Sequence, residues 1–115
     1  MRLGWHYRDK SLEPLVYVSE EKDEIVVHAD LPCVKKEDIQ VSVTDETVEI
    51  RAKMYREFRC DPWGTIQRGM IFQQFHKVVQ LPARINPDLA RARFQRGILE
   101  IRAQKKVVKS EVRVE

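Results

Sequence analysis

Apolar and polar residues alternate along most of this chain, and that period of two limits its fold more than any other feature. Residues 24–31, EIVVHADL, carry four apolar side chains on one face: Ile25, Val27, Ala29 and Leu31. Residues 39–44, IQVSVT, and 47–54, TVEIRAKM, repeat the pattern on either side of a short turn, which predicts a β-hairpin. A period of two is typical of β-strands that bury one face.

The rest of the pattern indicates an all-β fold. Further strands are predicted at four segments: LVYVS at 15–19, QFHKVVQLP at 74–82, RARFQ at 91–95 and ILEIRA at 98–103. No segment has a convincing helical period, and 115 residues provide one domain with a modest core. We therefore predict an immunoglobulin-like β-sandwich of seven to eight short strands over residues 14–103.

Other segments lack the period. Residues 1–13 are interpreted as an irregular N-terminal arm, residues 104–115 as a C-terminal tail, and KKED at 35–38 as a polar connection. Residues 55–72 form a long loop with a Pro-Trp-Gly turn and one short extended stretch near 64–68. A loop of this length inside a compact domain is usually functional.

Charge is distributed unevenly. Residues 1–60 contain 10 Lys and Arg against 13 Asp and Glu, residues 61–115 contain 11 against 5, and the net charge is +3. A basic half could attract nucleic acid, but aromatic residues that stack on bases do not alternate with Arg91, Arg93 and Arg102. We therefore expect a solvated or salt-bridged face and no nucleic-acid partner.

The sequence contains no motif for catalysis or for a cofactor. It lacks a Gly-rich phosphate loop, a Gly-x-Ser-x-Gly sequence and a paired-carboxylate pattern. His6, His28 and His76 lie far apart, and Cys33 and Cys60 lack metal-ligand spacing. We expect no enzymatic activity, cofactor or metal. Since no long apolar run or signal-peptide pattern is present, we expect no membrane partner and a cytoplasmic location.

Three separated blocks share one family pattern. The first block, at residues 29–52, is ADLPCVKKEDIQVSVTDETVEIRA, which is similar to Ala-Asp-Leu-Pro-Gly followed by Lys-Glu-Asp-Ile and Val-x-Val. The second block is FHKVVQLP at 75–82, and the third is ARFQRGILEI at 92–101. Together they resemble the α-crystallin domain of small heat-shock proteins of the archaeal and bacterial type. Cys33 stands where that family usually has Gly, so its turn must avoid positive φ or tolerate strain. Arg96 stands where the family usually has Asn before Gly97.

The last residues, EVRVE at 111–115, carry Val112 and Val114 in a charged tail. In extended backbone both valines point to one side and form a two-pronged apolar plug, as in recognition by strand addition. The resemblance implies that such a motif enters an apolar groove at the edge of the sandwich, commonly on a neighbouring subunit. The groove is predicted to have six lining residues: Ile39, Val41, Val43, Ala90, Ala92 and Phe94.

The resemblance also implies a dimer and a surface for clients. The loop at 55–72 would hold a strand that pairs with the partner's first strand, with Tyr17, Trp63 and Ile66 at the interface. The alternative is an ordinary loop packed on its own sandwich. The arm would contact unfolding client proteins, or pack inside the oligomer, through three residues: Leu3, Trp5 and Tyr7.

The resemblance therefore implies an ATP-independent holdase chaperone. Such a protein binds partly unfolded proteins, prevents their aggregation and works as a dimer-based homo-oligomer. Two other hypotheses stay open at this point: a monomeric CS-domain-like co-chaperone adaptor on a similar sandwich, and a basic nucleic-acid-binding β-domain. Whether the tail fills its own groove or a neighbour's also stays open.

Overall fold

The computed structural model describes residues 11–55, 74–107 and 112–115 of the chain. Eight strands lie within these ranges: β1 Ser11–Leu12, β2 Val16–Glu20, β3 Glu24–Asp30, β4 Val34–Val43, β5 Thr47–Met54, β6 Gln74–Gln80, β7 Arg91–Gln95 and β8 Ile98–Gln104. A short 3-10 helix, Pro87–Leu89, precedes β7. The described part of the chain contains no helix with the length and apolar character that crossing a membrane would need.

The strands form two four-stranded sheets. The first sheet has the order β1-β6-β5-β4, and the second has the order β2-β3-β8-β7. All neighbours are antiparallel except β1 and β6, which run parallel. The prediction of an all-β sandwich is confirmed, and the alternating segments 24–31, 39–44 and 47–54 all supply strands to it.

The core lies between the two sheets and consists of the inward side of each alternation. The four residues predicted on one face of β3 and beyond are all buried: Ile25, Val27, Ala29 and Leu31. They pack in one cluster with Val48 and Ile50 of β5 and with Ile101 of β8. Every second residue along these strands therefore contributes to one continuous hydrophobic core.

The linker between β1 and β2 determines how the sheets are stacked. Only residues 13–15 connect β1, an edge strand of the first sheet, with β2, an edge strand of the second, and three residues span at most about 11 Å. β1 and β2 therefore lie on the same side of the sandwich. The other two edge strands, β4 and β7, lie together on the opposite side. We call the side of β1 and β2 the linker side, and that of β4 and β7 the open side.

Two sequence-based predictions about connections are wrong. The polar run at 35–38 lies inside β4, with a register irregularity between Val34 and Ile39. An edge strand tolerates polar side chains and a bulge because one of its edges faces solvent. Ser11 and Leu12, predicted as part of an irregular arm, pair with Gln74 and Phe75. This two-residue strand is too short for a period of two to be visible.

Two turns hold side chains in the left-handed backbone region. Cys33 has φ 62° and Arg96 has φ 53°, followed by Gly97 at 79°. Backbone hydrogen bonds connect both turns to the sandwich, because the Cys33 carbonyl accepts from Tyr55 N–H at 2.9 Å and the Gly97 carbonyl from Leu31 N–H at 2.8 Å. The turn at Cys33 therefore tolerates positive φ without glycine, which is one of the two outcomes expected from the sequence.

Candidate functional site

The β4 half of the open side is an apolar strip that the core covers incompletely. Its three inward residues are paired across the sheet with fully buried ones: Ile39 with Ala52, Val41 with Ile50 and Val43 with Val48. The partners in β5 are at most 2% exposed, whereas the β4 residues are only partly buried against the same cluster. The strip therefore faces both the core and solvent.

In the β7 half too, the edge-strand residues are less buried than their partners in the neighbouring strand. Ala92 is registered with Ile101, and Phe94 with Leu99, and both partners are buried. Phe94 and Ala90 pack partly against the core, but Ala92 is exposed although its side chain faces inward. All six residues predicted to line the groove therefore lie on the two edge segments of the open side, where inward-facing apolar groups remain accessible.

The tail leaves the sandwich at one end and does not bury its valines in this structure. After β8, Lys105 forms a bridge with Ile85, and Lys106 N–H donates to the Arg84 carbonyl at 2.8 Å. Val112 and Val114 are 83% and 92% exposed. An exposed apolar pair and an accessible apolar strip thus occur in the same chain.

The outer face of the second sheet carries a network of ion pairs centred on Glu100. Its carboxylate accepts hydrogen bonds from Arg102 at 3.3 Å and Arg93 at 3.5 Å and lies 3.3 Å from a ring nitrogen of His28. The hydrogen bond from Arg102 lowers the pKa of Glu100 below its usual range, against the opposing effect of desolvation. Arg102 also donates to Glu24 at 2.6 Å, and this bond is the main cause of its raised pKa. Of the three arginines weighed as a nucleic-acid surface, Arg93 and Arg102 are therefore paired within the chain.

The outer face of the first sheet carries a smaller cluster. A ring nitrogen of His76 lies 2.8 Å from a Glu49 carboxylate oxygen, which also accepts from Arg51 at 3.2 Å. The hydrogen bond with His76 lowers the pKa of Glu49 below its ordinary value, with desolvation opposing it and the Arg51 charge assisting it. His28 and His76 both lie on the outer faces of their strands, registered with Glu100 and Arg51. Within residues 11–55, 74–107 and 112–115, no three His, Cys, Asp or Glu side chains come together as a metal site.

Comparison with known proteins identifies the family. The model of the Hsp20/alpha crystallin family matches residues 17–115. The chain belongs to this family. The match covers the sandwich from β2 onward together with the tail, so the resemblance derived from three sequence blocks is confirmed.

Individual relatives agree with this assignment. Heat shock protein 16 of Schizosaccharomyces pombe is 33% identical over 92 residues, which is 78% of this chain and 64% of that protein. The solved structure of heat shock protein 16.0 from the same organism has a TM-score of 0.70 at 27% identity and covers 91% of this chain and 77% of that one. The structure of hspA from Xanthomonas axonopodis has a TM-score of 0.68 at 28% identity, with 84% and 96% covered. The chain spans a little under two thirds of the first curated relatives it matches.

The predicted dimer and client residues of this Hsp20/alpha crystallin chain fall mostly outside the described ranges. Tyr17 lies on β2, which is an edge strand of the second sheet among the described strands, and is 63% exposed. Trp63 and Ile66 lie outside the described residues, and so do all three predicted client contacts: Leu3, Trp5 and Tyr7. Tyr17 is therefore the one member of these two sets whose surroundings the structure describes.

Two features of the sandwich were missed from the sequence. Val26 is 1% exposed on the outer face of β3, opposite Arg102, and the aliphatic part of an arginine side chain can cover apolar surface. The run Ile25-Val26-Val27 was the available signal. On the linker side, Lys77 donates to Glu13 at 2.6 Å, and no short-range pattern connects residues so far apart in sequence.

Proposed function

We propose that this protein is an ATP-independent, non-catalytic holdase chaperone. It binds partly unfolded proteins, prevents their aggregation and works as a dimer-based homo-oligomer. We also propose the cytoplasm as its location, and the arm (1–13), sandwich (14–103) and tail (104–115) as its functional parts. Family membership supports the general role, and the open side of the sandwich supports the mechanism.

The observation that carries this proposal is that an accessible apolar strip and an exposed apolar pair occur in the same chain. Val112 and Val114 are almost fully exposed, and the strip formed by Ile39, Val41 and Val43 is only partly buried. Burying two valine side chains gains about 3–6 kcal/mol, from which the cost of ordering the tail must be subtracted. One tail contact is therefore weak, and several contacts in a symmetric assembly bind tightly through effective concentration.

A second free edge supports the dimer. β2 borders the second sheet with no neighbour among the described strands beyond it, and Tyr17 and Val18 on it are 63% and 40% exposed. An extended segment from a partner chain can hydrogen-bond to such an edge. We propose that residues near Trp63 and Ile66 of the partner supply that segment.

Client binding follows from the weakness of these contacts. When tails dissociate, the groove offers apolar surface to unfolding proteins, and the arm residues Leu3, Trp5 and Tyr7 are proposed to add further contacts. Binding of this kind needs no fixed geometry and no nucleotide.

The rival role as a basic nucleic-acid-binding domain is weakened because Arg93 and Arg102 form ion pairs with Glu100. The rival role as a monomeric adaptor predicts a monomer at micromolar concentration.

Light scattering of a heated client protein without ATP tests the proposal. At one subunit per client molecule we expect strong suppression of scattering, unchanged when ATP is added. An inert globular protein at the same mass concentration is the control. Scattering as high as in that control would refute the chaperone role, and salt-sensitive binding to a random DNA duplex would favour the nucleic-acid hypothesis.

A further inference from the structure

We propose that the outer face of β7 is a charged track for the acidic residues on either side of the tail valines. The occupant is the segment EVRVE, residues 111–115, of a second copy of this chain. It adds to the second sheet along β7, with its valines in the groove and its glutamates beside Arg91 and Arg93. This inference rests on the proposed plug and specifies the edge strand and the charges that recognise it.

The hairpin of β7 and β8 determines which backbone groups of β7 are free. Its loop is Arg96-Gly97, both with positive φ, as in a type I′ turn. Such a turn is closed by a hydrogen bond between its first and fourth residues, Gln95 and Ile98. Hydrogen-bonded and non-hydrogen-bonded pairs then alternate along an antiparallel ladder. The N–H and C=O groups of Ala92 and Phe94 therefore point away from β8, toward the open side.

The same two residues turn their side chains into the groove, so β7 offers backbone and apolar contacts at one place. A strand that pairs with Ala92 and Phe94 sets its own inward residues beside theirs. Val112 and Val114 have the spacing that this requires. An extended segment then satisfies both sets of contacts without bending.

The outward residues of β7 give this edge its charge. Arg91 and Arg93 are registered with Arg102 and Glu100 of β8. These four residues, with Glu24 and Ala92, line a shallow depression of about 460 Å³. It contains three guanidinium groups and two carboxylates, so one positive charge is in excess. Because Arg102 binds Glu24 and Glu100, and Arg93 also binds Glu100, the excess lies toward Arg91 on the outer side of β7, which is an edge strand among the described strands.

The other edge of the groove carries no such charge. Along the regular part of β4, Ile39, Val41 and Val43 face inward, and the outward residues between them are Gln40 and Ser42. Both edges could pair with an extended segment, but Arg51, the cation registered with Gln40, already binds Glu49, whereas β7 carries the positive charge in excess at Arg91. Charge complementarity therefore favours β7, by the modest amount typical of exposed cross-strand pairs.

The tail sequence fits this track with one internal conflict. When the valines lie opposite Ala92 and Phe94, one glutamate lies opposite Arg91 and both are diagonal to Arg93, in either chain direction. Arg113 then lies opposite Arg93, and like charges in that position repel. Glu100 beside Arg93 and the glutamates beside Arg113 reduce this repulsion. Removing the charge of Arg113 should therefore tighten the contact.

Charge exchange in the full chain tests the track. The measured quantity is the protein concentration at which the assembly is half dissociated, determined by sedimentation at about 50 mM and about 0.5 M salt. Arg91→Glu should raise it about fivefold or more at low salt. The double change Glu111→Lys and Glu115→Lys should do the same, and combining it with Arg91→Glu should restore assembly. Arg113→Gln should lower this concentration about twofold. High salt should reduce every difference.

Arg51→Glu is the matched control, because Arg51 lies on the outer face of the first sheet, beside Gln40 of β4, and is about half exposed. Unchanged circular dichroism should accompany every variant. If Arg91→Glu assembles like Arg51→Glu, or if the combined variant is not restored, the track is refuted. The double change Val112→Ala and Val114→Ala tests the plug separately. If this variant loses assembly while Arg91→Glu keeps it, the plug is supported and the charged track is refuted.

Discussion

The two sides of the sandwich differ in what covers the hydrophobic core between the sheets. On the linker side, the chain crosses between the sheets itself: Pro14 is buried, Leu12 and Val16 pack partly against the core, and Lys77 binds Glu13. On the open side, Ala92 is exposed and the β4 strip remains partly accessible. The same two-layer core thus has one side crossed by its own linker and one side left for a separate segment.

This difference explains why the tail matters more than its length suggests. A segment that is continuous with the sandwich covers the linker side at the same time as the domain folds. A segment that must bind from outside can leave again. Covering of the core is therefore separable from folding on the open side, whereas on the linker side it is part of folding.

The largest expected effect comes from removing the occupant of the open side. In the double variant Val112→Ala and Val114→Ala, we expect the large assembly to collapse to dimers while the fold stays intact, because these valines are exposed in the isolated chain. Size-exclusion chromatography with light scattering measures the particle mass, and circular dichroism checks the fold. An unchanged particle mass would contradict the asymmetry between the two sides.

A smaller effect should distinguish the open side from the core within one cross-strand pair. Ile50 is fully buried, and its neighbour Val41 is only partly buried. We expect Ile50→Ala to lower the free energy of unfolding by about 2–5 kcal/mol, and Val41→Ala by about 0.5–1.5 kcal/mol. Val41→Ala should nevertheless weaken assembly, because it removes apolar surface from the groove. Urea unfolding at a fixed protein concentration measures the first quantity.

The reverse ranking of these two variants would show that the open side is closed in the isolated chain. So would a Val41→Ala protein that assembles as tightly as the parent. Either result would remove the distinction between a covered and an uncovered side, because an inward residue at an accessible edge should contribute less to folding than its buried partner.

The sequence predicted the regular parts of this structure and missed the parts that depend on distant residues. The alternation in β3 and β5 predicted strands and core together, because burial of one face imposes a period of two. The edge strand β4 was only half predicted, because its polar residues 35–38 lie in a register irregularity and lack the alternation of a regular strand. β1 was missed because Ser11 and Leu12 are held by residues 63 positions later in the sequence.

The candidate site was predictable to a similar degree. Ile39, Val41 and Val43 follow from the alternation of β4, and Ala92 and Phe94 from that of β7. Their meeting on one side follows from the short linker at 13–15 together with the strand order of the two sheets, which local patterns do not show. The contacts of Glu100 with Arg93 and His28 could not be predicted, because strand register across three strands is not visible in local patterns.

The smallest expected effect concerns the charged rim beside the open side and depends on pH. The lowered pKa of Glu100 means that its carboxylate stabilises the fold above the ordinary glutamate pKa of about 4.3. This contribution is lost as the pH falls through the lower pKa of the folded state. We expect the Glu100→Gln protein to be less stable than the parent at pH 7, with the difference shrinking below about pH 4.

Glu49→Gln, which removes the carboxylate bound to His76 on the other sheet, should show the same pH dependence of stability. Only Glu100→Gln should also change the salt dependence of assembly, because Glu100 lies beside Arg93 on the rim. Urea unfolding across this pH range and sedimentation at two salt concentrations measure the two quantities, and equal assembly behaviour of both variants would show that the rim charges do not contribute to binding on the open side.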